Sequence, residues 1–248
     1  MSFGTEVCRG SEGAVYDAVV KVKRCPASAE REYMAMRCCC SRYVPRVELA
    51  GMMLVMPKAE TDVLSLLQRT RRLLDYPVLC RVAEEMAGAI HLVHARGFIH
   101  RDVKLENWLV YDLVERAGVV VSLRVQLSDF GFSVKVEPGE VVEHRLGTPS
   151  YVAPEIVCGR AYGKEVDVFS YAVCVFAMLT GHKPFEGRNY AAVPSAAKRM
   201  WKAMLGTMCA AMRRLVLLGL RVDPATRLTS LQCVRLAHTA RRASNLRA

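Results

Sequence analysis

Three blocks of residues in fixed order constrain this 248-residue chain more than any other feature. They are His100-Arg101-Asp102-Val103-Lys104-Leu105-Glu106-Asn107, then Asp129-Phe130-Gly131, then Gly147-Thr148-Pro149-Ser150-Tyr151-Val152-Ala153-Pro154-Glu155. An Asp-Phe-Gly triplet alone arises readily by chance, but all three blocks in this order do not. Asp102 is a carboxylate that can sit beside an attacking hydroxyl, and Asn107 and Asp129 offer oxygen ligands to hard cations. Lys104 puts a positive charge where negative charge would migrate. Those are the groups that phosphoryl transfer requires.

On these blocks the chain resembles the eukaryotic protein kinase family over nearly its whole length, from about Val7 to about His238. The resemblance implies an α+β, bilobal fold. A trimmed small lobe built on an antiparallel sheet with one helix is expected over residues 1–57. A mainly helical large lobe is expected over residues 58–248, ending in a basic tail at residues 239–248. ATP belongs in the cleft between them, with Mg2+ on Asn107 and Asp129, Asp102 taking the proton of the acceptor hydroxyl and Lys104 neutralising the γ-phosphate. A lysine two residues after the aspartate, together with Thr148, matches the serine/threonine-specific members.

The large-lobe landmarks are distinct. Residues 78–96 carry apolar side chains at helical spacing closed by Gly97, so a core helix leads into the catalytic loop. His91 and His94 on it are read as structural. Asp167, inside the apolar run 166–179, resembles the family's anchor for the catalytic-loop backbone, and Arg227 resembles the partner of Glu155. Leu109 is expected beneath the adenine, and Phe130 is expected to join Met36 and His100 in a spine linking the lobes. The long stretch between Asn107 and Asp129 reads as a surface hairpin with its tip at Glu115-Arg116-Ala117-Gly118. Residues 200–219 carry two apolar helical stretches.

The small lobe matches less well. Cys8-Arg9-Gly10-Ser11-Glu12-Gly13-Ala14-Val15-Tyr16 resembles a glycine-rich phosphate loop in which Cys8 replaces the first glycine, leaving Gly10, Gly13 and Val15 as nucleotide contacts. Lys21, in the alternating Val19-Val20-Lys21-Val22-Lys23, takes the place of the phosphate-binding lysine, and Lys23, on the same face, is the fallback. Gly13 and Lys21 are so close in sequence that a tight turn around Tyr16-Asp17-Ala18 must join short strands. Residues 26–40 read as a helix with Ser28 as N-cap, Glu32 as the partner of Lys21 and Glu30 as the alternative. Tyr43 and Val44 are expected in the next strand, then Met53-Leu54-Val55-Met56 as a buried strand. It ends in Met56 as gatekeeper, with Lys58 and Ala59 as the backbone that meets adenine. Pro57 has no N–H to offer there. Asp62 is read either as a ribose contact or as the cap of a helix over residues 63–68.

The activation segment, residues 129–155, has no Ser, Thr or Tyr between positions 134 and 146. Its acids are read either as supplying Glu143, or failing it Glu140, to pair with Arg101 where other kinases use a phosphate, or as carboxylates merely solvated on a loop. Arg241-Arg242-Ala243-Ser244 reads either as an autophosphorylation site or as a solvated basic tail. Glu106 can meet a substrate arginine, though it also occurs in kinases without that preference.

Composition narrows the alternatives. The apolar fraction of 52% fits a compact globule, no apolar segment leads the chain, and the run 166–179 is too short and too interrupted to span a bilayer. Ten cysteines are expected as reduced thiols, with Cys38-Cys39-Cys40 in a packing role. The net charge of +11 includes basic clusters without the interleaved aromatic residues of a base-stacking platform, so nucleic acid is a minor possibility. The kinase resemblance implies protein substrates with Ser or Thr acceptors, arginine-rich ones among them, and no membrane partner. The Gly10-Ser11-Glu12-Gly13 loop, the trimmed lobe and an expected absence of regulatory domains resemble kinases of large DNA viruses, herpesviruses in particular. That likeness implies action inside a cell, in the cytoplasm or nucleus of a host. The competing function is a pseudokinase, a binding scaffold whose short loop, Cys8 and Pro57 ended nucleotide binding.

Overall fold

The structure, a computed structural model, describes residues 18–70, 74–185, 199, 202–203 and 208–246. Cys8, Gly10, Gly13, Val15 and the turn at Tyr16-Asp17 lie outside the described residues.

The β-branched alternation of Ala18–Val22 forms β1. It is followed by α1 (Pro26–Cys39), β2 (Glu48–Ala50) and β3 (Met53–Pro57). The three strands make an antiparallel sheet in the order β1-β3-β2, with Lys21 opposite Leu54. Helix α1 begins at Pro26, whose fixed φ suits a first helical position, after an extended Cys25. Ser28 therefore lies inside the first turn and is not the N-cap. Its buried face is Ala29, Glu32, Met36 and Cys39, a stripe at helical spacing with one carboxylate in the middle. Only Cys39 of the cysteine triplet is buried, and burial, followed by the neighbouring Cys38, pushes its thiol up to about 12. In β3 only Leu54 is fully buried, and Met53 is 43% exposed.

Tyr43 and Val44 do not form a strand of the sheet. The Tyr43 carbonyl accepts the N–H of Leu127 at 2.8 Å, and the carbonyl of Arg42 accepts from Gln126 Nε2 at 3.1 Å. The carbonyls of Arg42 and Tyr43 are thus committed to the large lobe, while that of Val44 accepts from the Ser41 N–H, and the Tyr43 ring packs so closely on Gly88 that a Cβ there would come within 2.7 Å of it.

Beyond β3 come β4 (Thr61–Asp62), α2 (Val63–Thr70) and α3 (Tyr76–Ala95), which ends before Gly97. Then β5 (Phe98–Ile99) leads into the loop that carries Asp102, and β6 (Trp108–Arg116) and β7 (Val119–Leu127) form the expected hairpin. Its turn residues Ala117 and Gly118 both have positive φ, 49° and 73°, the signature of the two-residue turn that matches strand twist. The chain continues through β8 (Val134–Lys135), α4 (Pro154–Val157) and α5 (Glu165–Thr180) to α6 (Ala210–Gly219) and α7 (Ser230–Asn245). Every residue of α5 from Val166 to Thr180 is buried, with α3, α6 and α7 packed against it. None of the helices among the described residues is long and apolar enough to cross a membrane.

The expected basic tail is largely helix. Thr229 and Gln232 form a reciprocal capping box that starts α7, which runs through residues 239–245. Arg241 pairs with Glu84 of α3, and Ser244 is 2% exposed with its hydroxyl donating to the Arg241 carbonyl at 2.7 Å. Ser244 is neither in a solvated tail nor presented as an acceptor.

Candidate active site

The loop between β5 and β6 owes its shape to Asp167 on α5. This carboxylate is 1% exposed and accepts the backbone N–H of His100 and of Arg101, each at 2.8 Å. His94 donates to it from α3 at 3.0 Å. Burial alone would push the Asp167 carboxyl up, but the hydrogen bond and charge of His94 outweigh it and hold the group below the usual carboxylate range. So anchored, Arg101 adopts a left-handed φ of 68°. His100 donates from Nε2 to the Ser128 carbonyl at 3.0 Å and accepts the Asp102 N–H on Nδ1 at 3.3 Å, which makes it the neutral tautomer. Burial accordingly holds its pKa below the ordinary histidine value.

Asp102 is the hub. Its Oδ1 accepts from the Thr148 hydroxyl at 2.6 Å, and its Oδ2 from Lys104 Nζ at 2.8 Å and Asn107 Nδ2 at 3.2 Å. Asn107 Nδ2 also bonds the Asp102 carbonyl at 2.8 Å, and Lys104 reaches the Thr148 hydroxyl at 3.2 Å. Four sequence-predicted residues from two separate motifs thus meet in one hydrogen-bonded cluster.

Across the cleft, Lys21 Nζ bridges Glu32 Oε1 at 2.8 Å and Asp129 Oδ1 at 2.7 Å. Burial works to lower the Lys21 pKa, yet the Asp129 and Glu32 carboxylates outweigh it and hold it above the ordinary value. Asp129 mirrors this: burial raises its pKa, and Lys21 brings it below the usual range. Asp129 has a left-handed φ of 59°, and the Phe130 ring behind it meets the His100 ring edge-on at 4.7 Å. Met36 and Phe130 lie in the same buried core where α1 packs on this turn.

Between the halves lies a cavity of about 460 Å3 lined by Val19, Lys21, Met56, Ala59, Leu109 and Asp129 among others. That volume lies within the range of small-molecule sites. Asn107 forms its hydrogen bonds through Nδ2 and Asp129 through Oδ1, so Asn107 Oδ1 and Asp129 Oδ2 are the oxygens left to face a cation. An amide oxygen and a carboxylate oxygen from residues lining this cavity fit Mg2+, and its apolar lining of Val19, Met56 and Leu109 fits a nucleobase. Asp62 caps α2, accepting from the Ser65 N–H at 2.9 Å and its hydroxyl at 2.6 Å, and also lines the cavity. Pro57 offers a carbonyl, which accepts from the Tyr111 hydroxyl at 3.1 Å.

In the activation segment the expected Glu143–Arg101 pair does not form, nor does the alternative through Glu140. Arg101 Nε donates to the Phe132 carbonyl at 2.6 Å, and its Nη1 reaches the Tyr162 hydroxyl at 3.5 Å. Val142 forms a bridge with Tyr162 and is buried, so in extended backbone its neighbours Val141 and Glu143 turn out to solvent. Glu140 instead accepts the Glu137 N–H at 2.9 Å. Further on, Arg227 grips Glu155 with both Nη atoms at 2.7 and 3.0 Å, while its remaining N–H groups meet the carbonyls of Glu165, Arg221 and Val222. All five guanidinium donors are used.

Sequence reasoning missed the role of His94 towards Asp167, of Tyr162 towards Arg101, and of Val19, Thr61 and Ser128 as cleft walls. It named Lys23 only as a substitute, whereas Lys23 Nζ sits on Glu32 Oε2 at 2.6 Å beside Lys21.

Comparison with known families matches residues 41–238 to the one described as Protein kinase domain. The chain is 34% identical over 172 residues to the human liver/testis phosphorylase b kinase gamma catalytic chain, covering 62% of this chain and 38% of that protein. It is 34% identical to the human serine/threonine-protein kinase ULK1, over 43% of this chain and 10% of that one. With calcium/calmodulin-dependent protein kinase type 1 of Macrobrachium nipponense the identity is 40%, over 42% of this chain and 28% of that one. The chain thus spans well under half the length of each of these relatives.

Proposed function

The chain belongs to the protein kinase family, and on that premise we propose that it transfers the γ-phosphoryl group of ATP to serine and threonine hydroxyls of proteins. The observation that carries this reading is the cluster around Asp102, facing the Lys21–Glu32–Asp129 bridge across one cavity. Asp102 is positioned to orient an acceptor hydroxyl and take its proton, with both carboxylate oxygens already fixed by Thr148, Lys104 and Asn107. Lys104, on the same carboxylate, can neutralise charge on the migrating group as it leaves one oxygen for the other. Lys21 supplies the matching cation for the phosphates. Asn107 Oδ1 and Asp129 Oδ2 would hold Mg2+, which when bound offsets the negative charge of the triphosphate.

Serine/threonine preference is supported by Lys104 and Thr148 together, since their hydrogen-bonded triangle with Asp102 forms the floor on which an acceptor must sit. The relatives named as serine/threonine or calmodulin-dependent kinases lean the same way.

The test is transfer of labelled γ-phosphate from Mg-ATP to a generic basic protein and to the chain itself, with Asp102→Asn as control. Transfer that falls by about 100-fold or more in the mutant, with phosphoserine or phosphothreonine in the product, is the expected result. Folded protein that transfers nothing and gains no thermal stability from Mg-ATP would favour the scaffold reading instead.

A further inference from the structure

We propose that Lys23, not Lys21, is the residue that holds α1 against the cleft, which leaves Lys21 available to the nucleotide phosphates. The inference rests on Lys21 being the phosphate-binding lysine, and concerns what fixes the Glu32 end of the site.

Lys21 and Lys23 stand two apart on one extended segment, so both point to the same face, while Val22 between them is 67% exposed on the other. The Lys23 N–H bonds the Met52 carbonyl at 2.9 Å and carries the β1–β3 ladder one residue past the strand. The two ammonium groups divide one carboxylate: Lys21 takes Oε1 at 2.8 Å, Lys23 takes Oε2 at 2.6 Å. Their surroundings differ. Lys21 lines the cavity, is 31% exposed and is shared with Asp129, whereas Lys23 does not line it and is 15% exposed.

Glu32 is 1% exposed in the middle of the buried stripe of α1, and a buried carboxylate that loses its only partner is strongly destabilised. In a site with a single lysine, that one cation must serve both the glutamate and the phosphates when nucleotide enters. Here Glu32 keeps a cation that the nucleotide does not reach. The Lys23–Glu32 pair also backs the metal-binding turn, because a Cβ on Gly131 would lie 3.3 Å from both Lys23 Nζ and Glu32 Oε2. The same pair therefore braces α1 and limits how the Asp129-Phe130-Gly131 turn can move.

Arg101 has the Phe132 carbonyl and the Tyr162 hydroxyl as partners without a phosphate, and residues 134–146 contain no hydroxyl to receive one. A second lysine on Glu32 makes the small-lobe half equally independent of phosphorylation, since α1 is secured from within the sheet.

Amide hydrogen exchange on nucleotide-free protein tests this without reference to catalysis. Lys23→Met is expected to speed exchange across residues 26–39 by about tenfold while α5 stays protected, and Lys21→Met is expected to leave α1 protected. Lys23→Arg should restore protection, and Lys23→Gln gives a second reading should the methionine variant fold poorly. An unchanged α1 in both neutral variants, or a larger effect from Lys21→Met, overturns the proposal. In turnover with Mg-ATP, Lys23→Met is expected to lower kcat by about tenfold in the wild type and not at all in a Glu32→Gln background. Independent losses in the two backgrounds would also overturn it. A protein that transferred no phosphate would sink the kinase reading, yet the exchange result would still decide the role of Lys23.

Discussion

On the large-lobe side of the cleft the loop that carries Asp102 is anchored through its backbone, whereas Lys21, Lys23 and Glu32 of the small lobe are held, together with Asp129, by ion pairs between side chains of different elements. Asp167 grips two loop N–H groups and Asn107 grips the Asp102 carbonyl, contacts that cannot exchange partners without refolding the loop. Lys21, Lys23, Glu32 and Asp129 are joined only by their charged ends. Two of those four, Lys21 and Asp129, are 31% and 43% exposed, so solvent and ligands compete for them. The two sides thus divide the labour. Under the proposed function, the half that would aim the acceptor hydroxyl is held in place before anything binds, and the half that would receive a polyanion and its cations can trade one partner for another.

If that division is right, large-lobe mutations should register first as stability. The largest effect is expected at Arg227, where replacement by methionine strands the buried Glu155 and frees three carbonyls. Arg227→Met should cost about 3–5 kcal/mol in urea unfolding. A loss under about 1 kcal/mol would mean that the five-donor arrangement contributes little net stability. Next comes Asp167→Asn, which keeps the shape but turns one acceptor oxygen into a donor facing an N–H. It should lose about 2–3 kcal/mol and slow phosphate transfer as well, because the loop that carries Asp102 hangs from it. Loss of stability with full kcat would break the argument that loop geometry depends on Asp167.

The large-lobe half was also the more legible in sequence, for a physical reason. His100 to Asn107 is one contiguous segment, so spacing alone brings Asp102, Lys104 and Asn107 together. Asp167 and Glu32 are each a charge within an apolar stripe, and burial of a charge demands a partner. What stayed hidden depends on contacts between distant residues. The phase of the extended segment at residues 141–143 is set by the Val142–Tyr162 bridge, and nothing near Glu143 reveals it. The two-residue spacing of Lys21 and Lys23 gives a shared face, but only the placement of α1 decides that both meet Glu32. Helix α7 was obscured by small buried residues, Ala237, Ala240 and Ser244, among arginines, although Thr229 and Gln232 carried a readable capping signal.

A smaller effect concerns pH. The His100 pKa is lowered in the folded protein, so the unfolded chain binds its proton more readily. Its contribution is complete above about pH 6.5, the unfolded value, and is lost as pH falls towards the depressed folded value. Stability should therefore fall by up to about 1.4 kcal/mol per pH unit below pH 6.5 from this group alone. In His100→Phe that share of the slope should vanish, measured as the difference between the two proteins' unfolding free energies at several pH values. Equal slopes would mean that the Nδ1 contact with the Asp102 N–H does not keep the ring neutral.

The smallest effect is expected at Glu143, and its smallness is informative. Reaching Arg101 would require Glu143 to turn inward, which would drive Val142 out of its buried position and break its two backbone hydrogen bonds with Tyr162, at 2.8 and 3.0 Å. The Arg101 guanidinium is meanwhile occupied by the Phe132 carbonyl and the Tyr162 hydroxyl, and that hydroxyl donates to the His144 carbonyl at 2.7 Å. Charge reversal in Glu143→Lys should thus change stability by no more than about 0.5 kcal/mol, as for an ordinary surface substitution, and should leave phosphate transfer intact. A marked loss of transfer would put a carboxylate back on Arg101 in the working enzyme. It would also move the activation segment from the rigid half of the comparison to the exchangeable one, since an ion pair between side chains would then be what orders it.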